Sequence, residues 1–516
     1  MNKLLSKYCV QMGMCISVFV LLCWQGCDDS LLDRKPIGLT EATFFQSESD
    51  FQKAVFGVYA KLSDLYWFNA TNPNHPLWLL PGDALTSASR LDYEVFSPLD
   101  ANNLRVNSVW NTYFEIKNRA NIVLVKLESN SDVYHDIALK NYHKGEVLFL
   151  RSWAMFRIWN HWGATAPLVD SRITGTDDTE PPSANPNNPW DTELLDKAIE
   201  DLREAASILP QSWPDEYLGR VTANSANGLL GKVLVFRATV TGDVHDFNEA
   251  ITVFNDIHGV RLVDHYRDVS SNYSLNNEES LFEYQANNPP ETDGVWMAND
   301  LDYSRGSISA YWGFYSDHWS WFVQQPLVPT AKLLATYEAG DPRADWTVGP
   351  VDVPITERNR YRKYVFDEVR TDSDVGSTNN PRILRYADVL LLNAEAHLET
   401  GNLTQAIQLI NEIRERARNS SDTPSPQPAD RPISETNPNT VFDWLQQERF
   451  IELAGEEGHR WWDLRRWHHA GKIDLNNFDF SSIRNDFDIE LPKHLFLPIP
   501  QSELDLNQNV VQNTGY

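Results

Sequence analysis

The sequence predicts a mainly α-helical protein in which helix pairs alternate with long irregular loops. Apolar residues recur at helical spacing in several separate segments. Three segments also carry the small-residue pattern of tetratricopeptide helix pairs. Between the helical patterns lie stretches such as 174–190 (TGTDDTEPPSANPNNPW) and 419–438 (NSSDTPSPQPADRPISETNP). Both are rich in Pro, Asn, Ser, Thr and Asp, and each reads as a surface excursion within one fold.

Taken in order, DFQKAVFGVYAKL places Phe51, Val55, Val58 and Leu62 on one helix face. SVWNTYFEIKNRANIVLVKL does the same with Val109, Tyr113, Ile116, Ala120 and Val123, and puts Trp110 and Tyr113 in the core. KGEVLFLRSWAMFRIWNHWG is a dense apolar helix over Val147 to Trp159 that ends near Gly163. The repeat-like segments follow. AIEDLREAASILP has Ala198, Leu202 and Ala205 at second-helix spacing. GLLGKVLVFRATVTGDVHDFNEAITVFNDI turns near Gly242 before Ala250 and Phe254. YADVLLLNAEAHLETGNLTQAIQLINEIRERA has Ala394 and Ala396, a turn at Gly401, then Ala406, Leu409 and Ile413. Small residues at these positions let paired helices approach closely. Such pairs bind another protein or brace a fold.

The amino terminus differs from the rest. Lys3 and Lys7 precede an apolar run from Met12 to Trp24, too short for the roughly 20 residues of a spanning helix. These are the length and flanks of a secretory signal. Gly26 before Cys27 supplies the small residue for cleavage, and no cysteine follows Cys27. Cys27 is therefore the expected lipidation site of a bacterial lipoprotein, with ordinary secretion and a free thiol as the alternative. Trp24 stands where lipoprotein signals favour Leu. Several acyl chains anchor firmly where one does not. An oxidising export route also explains the avoidance of further thiols.

Lys plus Arg number 44 against 72 Asp plus Glu, a net charge of −28. That excludes nucleic acid as a natural partner. Aromatic residues make up 12% of the chain, with 18 Trp, enough that some rings are expected to serve a surface.

The stretch QERFIELAGEEGHRWWDLRRW, Gln447 to Trp467, resembles the most characteristic segment of the SusD/RagB family, E-R-x-x-E-L-x-x-E-G-x-R-x-x-D-L-x-R-W. Glu448, Arg449, Glu452 and Leu453 match its first half. Glu457, Gly458, Arg460, Asp463, Leu464, Arg466 and Trp467 match its second, with one extra residue between. GEVLFLRSWAMFRIWNHWGATAPLV, NNEESLFEYQ, PTAKLLATYEAGDPR, RILRYADVLLLNAEA and the tail LFLPIPQSELDLNQNVVQNTGY extend the resemblance over nearly the whole chain, the tail having Thr514 where the family has Pro. The resemblance implies a SusD-like helical fold. Residues 1–26 are then a lipoprotein signal peptide and 27–516 a single domain, with an N-terminal part to about 300 and a C-terminal RagB/SusD part from about 301. It implies a cell-surface, lipid-anchored protein that captures oligosaccharides for a SusC-like TonB-dependent outer-membrane transporter, without catalysis. Asp28 and Asp29 after Cys27 resemble the acidic export signal of Bacteroidetes surface lipoproteins.

The residue chemistry bears on that expectation. Glu448, Glu452 and Glu456 fall at i, i+4 and i+8, one helix face, and paired carboxylates can hydrolyse glycosides. Arg449 and Arg460 nearby favour ionised carboxylates, whereas a general acid needs a raised pKa. A structural ion-pair network is therefore expected, and a glycan-cleaving enzyme is the minor alternative. No H-E-x-x-H, phosphate loop or C-x-x-C is present. No cofactor is expected. Asn299, Asp300 and Asp302 in NDLDYS offer oxygen ligands to calcium, although a polar loop is the simpler reading.

The informative stretch is YWGFYSDHWSWF, Tyr311 to Phe322. Its spacing fits no clean helix or strand face. Flat rings match the apolar face of a sugar at low entropic cost, and charged groups bind its hydroxyls. Trp296, Tyr303, Tyr311, Trp312, Tyr315 and Trp319 are the expected stacking residues. A second stretch, DALTSASRLDYEVF, adds Asp83, Arg90 and Tyr93 as polar contacts, because family ligand residues commonly come from a loop in this region. A protein- or peptide-binding scaffold built on the tetratricopeptide-like helices is the main alternative function.

Overall fold

The computed structural model describes residues 41–66, 74–87, 92–172, 181–286, 327–349, 352–358, 360–364, 378–421 and 425–516. Residues 51–516 form one compact unit, and residues up to 50 are a separate one. Among the described residues no helix is long and apolar enough to cross a membrane.

Ten helices carry the architecture: α1 (Glu48–Tyr59), α2 (Leu104–Ser129), α3 (Ile137–Trp162), α4 (Glu193–Ile208), α5 (Ala223–Thr241), α6 (Val244–Asn255), α7 (Tyr386–Glu399), α8 (Leu403–Asn419), α9 (Pro438–Glu452) and α10 (His459–His469). Short helical turns join them. Among the described residues the strands are brief and pair as three antiparallel two-stranded ribbons. β1 (Leu85–Ser87) pairs with β3 (Leu327–Pro329), β2 (Ser280–Glu283) with β6 (Arg382–Arg385), and β4 (Val348–Gly349) with β5 (Arg360–Tyr361). The mainly α expectation holds.

The helices form where the apolar period places them. In α2, Val109, Tyr113, Ile116, Ala120 and Val123 are all buried, as is Trp110. Asn103 caps its start by accepting from the backbone N–H groups of Arg105 and Val106, which satisfies donors the helix leaves unpaired. α3 is buried on all sides from Gly145 to Trp162, so it is a central helix. α4 packs beside it through Leu195, Ala198, Leu202 and Ala205.

Successive antiparallel pairs, α3 with α4, α5 with α6 and α7 with α8, confirm the repeat reading. Close approach explains the small residues. A Cβ on Gly231 of α5 would lie 2.2 Å from the Phe254 ring of α6. Between α7 and α8 the chain turns at Gly401 with φ +83°, a left-handed conformation that glycine adopts without strain. Ala387, Leu391, Ala394, Ala406, Ile410 and Ile413 from this pair form one core with Val441 and Leu445 of α9 and Trp467 of α10.

One expectation is corrected. The period over Glu448, Glu452 and Glu456 suggests a single helix, but α9 ends at Glu452. Gly455 and Gly458 have φ of +69° and +78°, and Glu457 of +44°, so the chain turns sharply into α10. A Cβ on Gly458 would sit 2.6 Å from the Trp78 carbonyl oxygen.

Candidate ligand-binding region

Ribbon β1–β3 organises the region that the sequence singles out. Leu85 pairs with Pro329, Thr86 with Val328 and Ser87 with Leu327. The antiparallel register puts the end of β1 beside the start of β3. Segment 88–91 follows Ser87 directly, and segment 287–326 leads directly into Leu327. Arg90, Trp296, Tyr303, Tyr311, Trp312, Tyr315 and Trp319 belong to those two segments and lie outside the described residues, as do Cys27 and the NDLDYS stretch. Ser87, which precedes the first segment, is the register partner of Leu327, which follows the second.

That ribbon is held by groups the sequence reading missed. Glu94 Oε1 accepts from the Ser87 backbone N–H at 2.9 Å and from Thr86 Oγ1 at 2.6 Å. Arg484 Nη1 donates to the Ser87 carbonyl at 3.0 Å. Burial pushes the Glu94 carboxyl up to about 7, against the opposing pull of those two hydrogen bonds and of Arg484. No local pattern marks Glu94, because its partners sit seven or eight residues back in the chain and, in Arg484, at the far end of it.

Two predicted contacts are corrected by their position. Asp83 is fully buried, not part of a polar surface loop. Its carboxylate takes a two-pronged ion pair from Arg460, with Nη2 at 2.8 Å, and a second from Lys332 Nζ at 2.6 Å. Burial alone would raise its pKa; the two cations outweigh burial and hold it below the usual carboxylate range. Tyr93 is 5% exposed. Burial raises its hydroxyl pKa, offset in part by a hydrogen bond with Arg105. Both residues are committed to internal partners, so they brace the region rather than face a ligand. Nearer the surface, Lys332 Nζ lies 4.0 Å from the centre of the half-buried Phe478 ring.

The carboxylates of the characteristic stretch are interior. Glu448, Glu452 and Glu456 are each at most 2% exposed. Arg343 reaches Glu452 at 3.1 Å, Arg414 reaches Glu448 at 2.9 Å, and Arg385 reaches Glu452 at 2.8 Å and Glu456 at 2.7 Å. Arg416 also pairs with Glu452, and Lys363 with Glu456. Burial opposes ionisation of Glu452, yet Arg416, Arg385 and Arg343 drive its pKa far below the usual range. This is the expected ion-pair network. The extra residue in the motif resolves as two separate partnerships: Glu456 joins the network, while Glu457 accepts from Tyr66 Oη at 2.7 Å and Arg157 Nη1 at 3.0 Å.

Among the described residues one group has metal-ligand chemistry in close proximity, His245, Asp246 and Glu249. Asp246 is held two-pronged by Arg237, and Glu249 by Arg203, so their oxygens already face guanidinium groups.

Comparison with known proteins agrees with the helical architecture and the motif. Residues 355–516 match the SusD family model, and residues 41–235 match a family model described as starch-binding associating with outer membrane. Together these span well over half of the chain. SusD-like protein P2 of Formosa agariphila is 24% identical, over 97% of this chain and 98% of its own. Among solved structures, a SusD homolog from Bacteroides thetaiotaomicron superposes with a TM-score of 0.72 at 19% identity, covering 92% of this chain and 98% of that one. A laminarin-binding SusD-like protein superposes with a TM-score of 0.70 at 21% identity, covering 92% and 100%. The chain belongs to the SusD/RagB family.

Proposed function

We propose that this protein is a lipid-anchored protein of the outer cell surface that captures oligosaccharides and delivers them to a SusC-like TonB-dependent transporter, without cleaving them. The observation that carries the reading is the register of the β1–β3 ribbon, which sets the residue before segment 88–91 beside the residue after segment 287–326. The second segment contains the densest aromatic stretch of the chain, YWGFYSDHWSWF. Aromatic rings beside polar side chains are the chemistry that binds sugar rings. The glycan named for the laminarin-binding relative is consistent with a carbohydrate ligand here. The absence of cleavage is argued from the carboxylates of the family stretch, which are buried against cations rather than exposed in a cleft. Anchoring is assigned to Cys27 after removal of the signal.

Titration of the mature chain with a bound oligosaccharide is the test. Trp312→Ala and Trp319→Ala are each expected to weaken binding about tenfold or more, the scale of a buried aromatic contact, with unchanged unfolding temperature. Unchanged affinity in both variants would remove the aromatic stretch from the site. Cys27→Ser is expected to release the protein from the membrane fraction; retention there would refute the anchor.

A further inference from the structure

The tetratricopeptide-like pairs carry a feature that glycan capture does not use. Helices α6, α7 and α8 enclose a groove of about 410 Å³. α7 lies between its two neighbours and contributes Tyr386, Asn393 and His397; α8 contributes Gln405 and Glu412. Asn393 is only 8% exposed, and its Oδ1 is buried with no hydrogen-bond partner among the described residues. A buried carboxamide left unpaired costs free energy, so native structures rarely tolerate one without a reason. Leu392 and Ala394 beside it in α7 are apolar, and the adjoining core of Ala387, Leu391 and Ala394 shows that a hydrocarbon side chain suits this helix.

We propose that this groove is a binding site for an extended polypeptide segment, with Asn393 pairing with a backbone amide of the segment and Glu412 with one of its basic side chains. A carboxamide carries an acceptor oxygen and an NH2 donor group in one plane, as a peptide group carries an acceptor and a donor, so it can exchange two hydrogen bonds with an extended chain. From Tyr386 to His397 the helix rises about 16 Å, which about five extended residues span. Glu412 stands exposed at the groove and lacks a cationic partner among the described residues, and Glu415 adds a like charge nearby. A lysine or arginine brought to it would offset that like charge. The rings at the groove do not form an open platform: Phe254 is 4% exposed and Tyr386 is half-buried, which disfavours a stacked sugar. The site is independent of the proposed glycan region.

The test overlays the mature chain on an array of synthetic nonapeptides with a central lysine, matched by a set with glutamate in that place. The lysine set is expected to retain the protein at least tenfold more than the glutamate set. Asn393→Leu and Glu412→Gln are each expected to reduce that retention at least tenfold, and Trp312→Ala to leave it unchanged. Asn393→Leu is also expected to unfold at the same temperature as the native chain or higher, since an unpaired polar group gives way to a hydrocarbon. A marked loss of stability in this variant would mean that Asn393 has a structural partner, and would overturn the proposal. So would equal retention by both peptide sets, no retention by either, or Asn393-dependent retention on an oligosaccharide array, which would make the groove a second glycan site.

Discussion

Glu452 and Glu94 are both fully buried carboxylates, one at the end of α9 and one beneath the β1–β3 ribbon, yet their environments drive them in opposite directions. Around Glu452 stand Arg343, Arg385 and Arg416, and its pKa falls far below the usual range. Around Glu94 stand a hydroxyl, a backbone N–H and the more distant Arg484, and its pKa rises to about 7. Burial penalises the charge in both cases; the number of cations in direct contact decides the outcome. The contrast separates a region built for permanence from one that leads into adjacent segments. It also explains why a run of glutamates on a characteristic motif need not be catalytic. Carboxylates saturated by guanidinium groups cannot deliver a proton at neutral pH.

The contrast can be broken first in the network. Arg385 contacts Glu279, Glu452 and Glu456. Arg385→Met leaves three buried acids short of a partner and is expected to cost about 3–5 kcal/mol, the scale for removing one side of a buried pair. Urea unfolding at pH 7 measures it, and a loss under about 1 kcal/mol would show that the remaining cations suffice.

The two glutamates also predict opposite pH limbs. Glu452 has a folded pKa below its unfolded value of about 4.3, so its contribution is present above that value and is lost as pH falls through the folded pKa in strong acid. Glu94 has a folded pKa above its unfolded value. Folding then favours the protonated form, and stability falls as pH rises from about 4.3 toward 7. Glu94→Gln keeps an acceptor for Ser87 and Thr86 and removes the charge. It is expected to gain about 1–3 kcal/mol at pH 8 relative to the native chain and nothing at pH 4. Equal pH slopes in the two proteins would mean that Glu94 does not titrate in this interval.

Smaller effects sharpen the picture. Asp83→Asn retains hydrogen bonding to Arg460 and Lys332 but not the charge, and is expected to cost about 1–2 kcal/mol. It should weaken oligosaccharide binding less than Trp312→Ala does, because Asp83 braces the region without facing the ligand. An effect on affinity equal to that of Trp312→Ala would return Asp83 to the binding surface. At the low end, Arg203 pairs with Glu249 while half exposed. Arg203→Ala is expected to cost no more than about 1 kcal/mol in thermal or urea unfolding.

How far the sequence could be read follows from the range of the interactions involved. The buried faces of α2 and α4 and the turn at Gly401 are legible because helix period and glycine punctuation are local signals. The three ribbons among the described residues are not legible: strands of two to four residues carry no alternation to detect, and for β1–β3 and β2–β6 the partners lie far apart in the chain. Asp83 shows the same limit in a side chain. Among polar neighbours it reads as a surface residue; only the fold brings Arg460, 377 positions away, to its carboxylate. The end of α9 is a subtler case. The spacing of Glu448, Glu452 and Glu456 continues the helical period past Gly455 and Gly458, whose positive φ values turn the chain. The aromatic stretch is legible in the sequence as composition alone and lies outside the described residues.

The most direct measurement is a calorimetric titration of the mature chain, starting at Asp28, against a panel of plant, host and microbial oligosaccharides, with each mixture then assayed for shortened products. The account predicts saturable heat with at least one glycan, loss of that heat in Trp312→Ala, and full recovery of the intact oligosaccharide. Shortened products from the native chain, or binding that survives both Trp312→Ala and Trp319→Ala, would contradict it.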